Sequence, residues 1–118
     1  MRKVTVAAIQ MNNTRIVSEN IAKAEKLVRE AAEKGAQIIL LPELFERQYF
    51  CQERRYDYYD FAKKTEENDA VIHFRKICKE LSVVMPISFY EKDGNTLFNS
   101  VAVIDADGEI LGVYRKTH

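Results

Sequence analysis

The sequence contains no tryptophan, two prolines, two cysteines, two histidines and four glycines among its 118 residues. Each scarcity removes a class of protein. Cys51 and Cys78 are too few and too far apart for a disulfide scaffold or a zinc knuckle. His73 and His118 have no cysteine or acidic cluster at ligand spacing, so no metal site is expected. Gly94 and Gly108 punctuate turns and do not form a phosphate-cradling loop. Neither sign of charge is in excess, with 18 basic residues against 18 acidic ones. No basic run of the kind that tracks nucleic acid is present, so no nucleic-acid partner is expected. No apolar stretch approaches the roughly 20 residues that a membrane span needs. The opening Met1-Arg2-Lys3-Val4 lacks the long apolar run and small-residue cleavage site of a signal peptide. The expectation is a cytoplasmic protein with no membrane partner.

What is present suits one domain with a real core: 47% hydrophobic and 31% charged residues, an ordinary globular mixture. Val4 to Met11 is short, apolar and rich in β-branched residues, and reads as a buried first strand. A helix is predicted from about Ser18 to Lys34. Ile21, Ala24, Leu27, Val28 and Ala31 form its apolar stripe, and Glu19/Lys23, Glu25/Arg29 and Arg29/Glu33 are opposite-charge pairs on its wet face. Gly35 stands where a helix stops in the left-handed conformation. Gln37 to Leu41 then begins a second strand, so the two strands should be parallel, as in a βαβ unit.

Residues 42–67 have no clean period and are crowded with aromatic and charged side chains, as in a functional loop. A second helix runs from Asn68-Asp69 to about Ser82, with Ala70, Phe74, Ile77, Cys78 and Leu81 on its apolar side. His73 falls away from Ile77 and Leu81 and is expected to be solvated. Val83 to Glu91, Leu97 to Ile104 and Glu109 to Arg115 are strands joined by turns at Lys92-Asp93-Gly94-Asn95 and Asp105-Ala106-Asp107-Gly108. Pro86 lacks a ladder donor, which implies a bulge or an unpaired position in the third strand.

The stretch Leu40-Leu41-Pro42-Glu43-Leu44-Phe45-Glu46 ends an apolar run by presenting one acid. In open α/β sheets, ligands bind beyond the carboxyl ends of strands, and Glu43 lies there. From pattern alone it reads either as a surface acid at a strand tip or as a carboxylate held partly out of water, able to take a proton. Lys116 reads either as a solvated cation after a strand or as a fixed positive charge for a developing oxyanion. Cys78 lies on the helical apolar stripe and reads as packing. Nothing beside Cys51 in sequence activates it, and neither cysteine is taken as a nucleophile.

The segments Val6-Ala7-Ala8-Ile9-Gln10-Met11, Leu40-Leu41-Pro42-Glu43-Leu44-Phe45, Phe98-Asn99-Ser100 and Tyr114-Arg115-Lys116-Thr117-His118 together resemble the carbon–nitrogen hydrolase (nitrilase) superfamily along all 118 residues. Tyr49-Phe50-Cys51-Gln52 and the run Val84 to Glu91 look like the versions carried by its amidases of carbamoyl amines. The resemblance implies an α/β fold, the N-terminal part of a four-layer α-β-β-α sandwich. It implies a Glu-Lys-Cys triad, with Glu43 as general base and Lys116 as oxyanion stabiliser. The nucleophilic cysteine and a further supporting glutamate would lie beyond position 118. No redox or metal cofactor is implied.

The expected partner is a small-molecule carbamoyl amine, and the full-length form would be a homo-oligomer. Tyr49 and Phe50 could wall the substrate's aliphatic chain or simply pack, while Glu46 and Glu53 are candidates for meeting its ammonium. On this reading residues 1–118 are the N-terminal portion of a single domain, truncated after the lysine motif and inactive alone. Other substrates within the superfamily are β-ureido acids, ω-amides and nitriles. A reading from a different class makes the 118-residue chain a non-catalytic interaction scaffold.

Overall fold

The computed structural model describes residues 3–14, 16–42, 68–93 and 96–116. The chain order is β1 (Val6–Ala8), α1 (Val17–Glu33), β2 (Ile38–Leu40), α2 (Asp69–Leu81), β3 (Met85–Asp93), β4 (Thr96–Ile104) and β5 (Ile110–Arg115). β1 and β2 are parallel, with Ala7 opposite Ile39, as the βαβ reading requires. One parallel bridge, Ile38 to Val84, joins β2 to the antiparallel meander β3-β4-β5.

Both helices cover one face of this sheet. Ile21, Ala24 and Val28 of α1 and Ala70, Val71, Phe74, Ile77 and Cys78 of α2 are buried in one cluster with Ile39, Met85, Ile87, Phe89, Ala102 and Ile104. Strand side chains alternate between faces, so the same register points Val6, Leu40 and Tyr114 the other way. These three are 64%, 48% and 64% exposed. Among the described residues the molecule is thus one helical layer on one sheet.

This corrects the reading of the first strand. Val4 to Met11 reads as a buried first strand, but β1 is three residues long, and only Ala7 of the three is part-buried. A β-branched run looks the same whether one face is covered or both, and here the helices cover one.

The helix ends follow local chemistry. No side chain caps α1 at Ile16; instead buried Asn20 accepts from the Thr14 amide at 2.7 Å and donates to the Thr14 carbonyl at 2.9 Å. Gly35 ends the helix at φ +96°. Asn68 caps α2 by accepting from the Val71 amide at 3.0 Å. At the β4–β5 turn, Gly108 has φ +87°, and a Cβ there would sit 2.9 Å from the Arg75 carbonyl oxygen. Arg75 in turn donates to the Gly108 carbonyl at 2.8 Å, tying this turn to α2.

Of the pairs predicted along α1, Glu25–Arg29 forms at 2.8 Å, and Arg29 also reaches Glu80 of α2. Glu19 and Lys23 bond to the preceding loop instead, through Thr14 and the Asn12 carbonyl. His73 is a second correction. Its Nε2 lies 2.5 Å from Glu25 Oε1 and its ring meets Phe74 edge-on at 5.2 Å, so it clasps α2 to α1.

Pro86 introduces no irregularity between β3 and β4, whose register runs through Pro86–Val103 unbroken. Its effect is on the β2 side. Ile39 donates to the Val84 carbonyl at 3.0 Å and Val84 to the Gln37 carbonyl at 2.9 Å. The next bond of a parallel ladder would run from the amide of residue 86 to the Ile39 carbonyl. Proline has no such donor, and β2–β3 pairing stops at one bridge.

Candidate active site

Where β2 and β3 part, a cavity of about 410 Å³ opens on the sheet face away from the helices. β2 and the residue after it contribute Leu40 and Leu41. Pro86 and Ser88 come from β3, Asn99 and Val101 from β4, and Tyr114 and Lys116 from the end of β5. The alternation explains this membership. Asn99 and Val101 share a face, and Val101 opposes Tyr114, while Ser100 and Arg115 point to the helices.

Lys116 follows the last residue of β5. Its amide donates to the Asn99 carbonyl at 2.8 Å, extending the ladder by one bond and fixing its main chain at the cavity mouth. On the opposite wall the Ile9 amide donates to the Leu40 carbonyl at 2.9 Å, and Leu41 is 4% exposed. Leu41 and Pro42 lead directly to Glu43, which lies outside the described residues, as do Tyr49, Phe50, Glu46, Glu53 and Cys51. The structure therefore brings Lys116 together with the strand end that precedes Glu43.

The helix-facing side behaves differently. Glu91 of β3 is buried, yet its carboxylate is fully engaged. Oε1 accepts from Ser100 Oγ at 2.9 Å and from Arg115 Nε at 2.9 Å, and Oε2 accepts from Arg115 Nη2 at 3.2 Å. The Arg115 guanidinium also lies 4.1 Å from the Phe98 ring centroid. Sequence reasoning missed this group. Its signal was Glu91 falling in step with Met85, Ile87 and Phe89, two residues apart on an inward face.

Cys78 is inert, as the helical stripe implied: it is fully buried, and burial pushes its thiol up to about 12. A groove of about 400 Å³ between α1 and α2 also carries an acid, Glu25. That carboxyl is held below its ordinary value of 4.5, first by the Arg29 guanidinium and then by His73, so it is a poor proton acceptor. Among the described residues no three His, Cys, Asp or Glu side chains group as a metal site, and no helix is long and apolar enough to cross a membrane.

The carbon–nitrogen hydrolase profile matches residues 5–118, nearly the whole chain. The chain belongs to the carbon–nitrogen hydrolase family. It is 54% identical over 98% of its length to a rice (Oryza sativa subsp. japonica) protein named N-carbamoylputrescine amidase, covering 38% of that protein. It is 43% identical over its whole length to a Francisella tularensis protein named citrullinase, covering 41% of it. A carbon–nitrogen hydrolase from Helicobacter pylori G27 superposes with a TM-score of 0.88 at 27% identity, over 98% of this chain and 40% of that one. The chain thus spans about two fifths of the length of the relatives it matches.

Proposed function

We propose that residues 1–118 are the N-terminal portion of an amidohydrolase that cleaves the carbamoyl C–N bond of N-carbamoylputrescine, a step of polyamine biosynthesis. The observation that carries the reading is the 54% identity to the rice protein of that name. The cavity supports it: Lys116 stands on one wall, and the main chain leading to Glu43 forms the other.

In the proposed reaction a cysteine beyond position 118 attacks the carbamoyl carbon while Glu43 takes the thiol proton. Lys116 stabilises the oxyanion of the tetrahedral intermediate. Collapse breaks a C–N bond, Glu43 returns the proton to the departing nitrogen, and a thioester remains. Water, deprotonated by Glu43, releases carbamate, which breaks down to carbon dioxide and the remaining amine or ammonia. Tyr49 and Phe50 wall the aliphatic chain of the substrate. The enzyme is cytoplasmic and homo-oligomeric, requires no metal or redox cofactor and binds no nucleic acid. Residues 1–118 alone hold the base and the lysine without the nucleophile, and do not turn over.

A second reading, hydrolysis of citrulline, draws on the 43% identity to the citrullinase. Both substrates end in the same ureido group and differ at the far end, an ammonium in one and an amino acid in the other. The test compares ammonia release by the full-length enzyme from N-carbamoylputrescine, citrulline, a β-ureido acid and an ω-amide. N-carbamoylputrescine is expected to give the highest kcat/KM, by about tenfold or more. A higher value for any other substrate replaces the reading. Translating the coding sequence past His118 tests the mechanism separately: with no cysteine at a strand end there, the thioester route fails.

A further inference from the structure

β5 ends at Arg115, and the residue that reaches the cavity is the next one. Strand ends fray, and local opening there costs little free energy. An exposed lysine beyond a fraying end would leave its ammonium poorly placed for a developing charge. Two contacts oppose this from the two faces of the sheet. The Lys116 amide is bonded to the Asn99 carbonyl at 2.8 Å. On the opposite face Arg115 is gripped by Glu91 through two nitrogens, at 2.9 and 3.2 Å, and rests against Phe98.

A guanidinium–carboxylate fork fixes orientation as well as distance, which a single lysine contact would not. Ser100 fixes the carboxylate in turn, at 2.9 Å. The three residues come from three adjacent strands, so the grip locks the β5 end to β4 and β3 together.

We propose that Glu91, Ser100 and Arg115 are positioning residues for Lys116, acting through the sheet from the face that substrate does not touch. The proposal rests on the reading of Lys116 as the oxyanion lysine. Their role is in the rate of the chemical step, and little of it in ground-state substrate binding.

The test uses the full-length enzyme with N-carbamoylputrescine, at a temperature where circular dichroism shows each variant folded. Glu91→Gln and Arg115→Met are each expected to lower kcat roughly 10- to 100-fold, as small misplacements of catalytic groups do, with KM changed less than about twofold. The double variant should be no worse than the poorer single one, because the pair acts as a unit. Ser100→Ala should cost about threefold to tenfold in kcat, and Arg115→Lys should recover part of what Arg115→Met loses. A merely structural role would lower the folded fraction and leave kcat per folded enzyme unchanged, and that outcome overturns the proposal. Should Glu91→Gln fail to fold, Ser100→Ala and Arg115→Lys carry the same test. Lys116→Ala separates the two levels. If it abolishes kcat while folded Glu91→Gln does not lower it, the positioning role is wrong and the lysine reading stands. If Lys116→Ala leaves kcat intact, the lysine reading falls and the positioning role falls with it.

Discussion

The two faces of one sheet are built from the same strands and have opposite characters. Toward the helices, Met85, Ile87, Phe89, Ala102 and Ile104 are fully buried. One residue along each strand, Ser88, Asn99, Val101 and Tyr114 line an open cavity instead. The period of two in a strand thus divides labour residue by residue. The covered face carries the apolar core, and the other face carries the cavity. Arg115 and Lys116 are the sharpest instance: neighbours in sequence with like charges, one gripped by Glu91 on the helix-facing side of the sheet and one at the cavity.

Substitutions on either side test this division. Phe89→Ala, in the middle of the covered face, should cost about 3–5 kcal/mol of stability, measured by urea unfolding of the full-length enzyme. A loss below about 1 kcal/mol would show that the helical layer is not the core. Lys116→Ala should do the reverse. It should lower kcat about 10²- to 10³-fold, as removal of an oxyanion donor does, while stability moves less than about 0.5 kcal/mol. Parallel losses in both variants would erase the distinction between the faces.

Gly108→Ala is expected to have a smaller effect, roughly 1–3 kcal/mol, because it forces a side chain to φ +87° and against the Arg75 carbonyl. Thermal unfolding reads it, and an unchanged midpoint would mean that the β4–β5 turn is not tied to α2. The smallest effect is in acid. Arg29 holds the carboxyls of Glu25 and Glu80 below their ordinary value of 4.5. A folded-state pKa lowered in this way contributes stability that is complete above pH 4.5 and is lost as pH falls through the lower folded value. Melting temperature should therefore decline below that pH, and Arg29→Met should make the decline shallower. The same slope in both proteins would show that this helix clasp contributes nothing.

The βαβ start, both helices, the meander and the turn at Gly108 were legible because each depends on local chemistry: a 3.6-residue stripe, Asn68 as a cap, Gly35 and Gly108 at positive φ. The errors came where burial depends on the rest of the fold. Val4 to Met11 carries the composition of a buried strand, and no local signal says that one of its faces lacks a helix. His73 sat on the polar side of its own helix, but its partner Glu25 is 48 residues away. For the same reason the Glu91–Arg115 pair was invisible as a pair. Glu43 and Lys116 were legible as candidates through family resemblance more than through pattern. The structure describes Lys116 and the approach to Glu43 on two walls of one cavity.

Pro86 has a consequence for how such a pocket can change over time. Where two parallel strands separate because of bulky side chains, each exchange of a lining residue risks letting the strands zip shut. Here they separate because the main chain at position 86 has no hydrogen to give to the Ile39 carbonyl. Pro86 thus both lines the cavity and ends the pairing beside it. Leu40, Ser88, Asn99 and Tyr114 line the gap beside Pro86 without supplying that missing hydrogen bond. A single imino acid thus marks where the two parallel strands part.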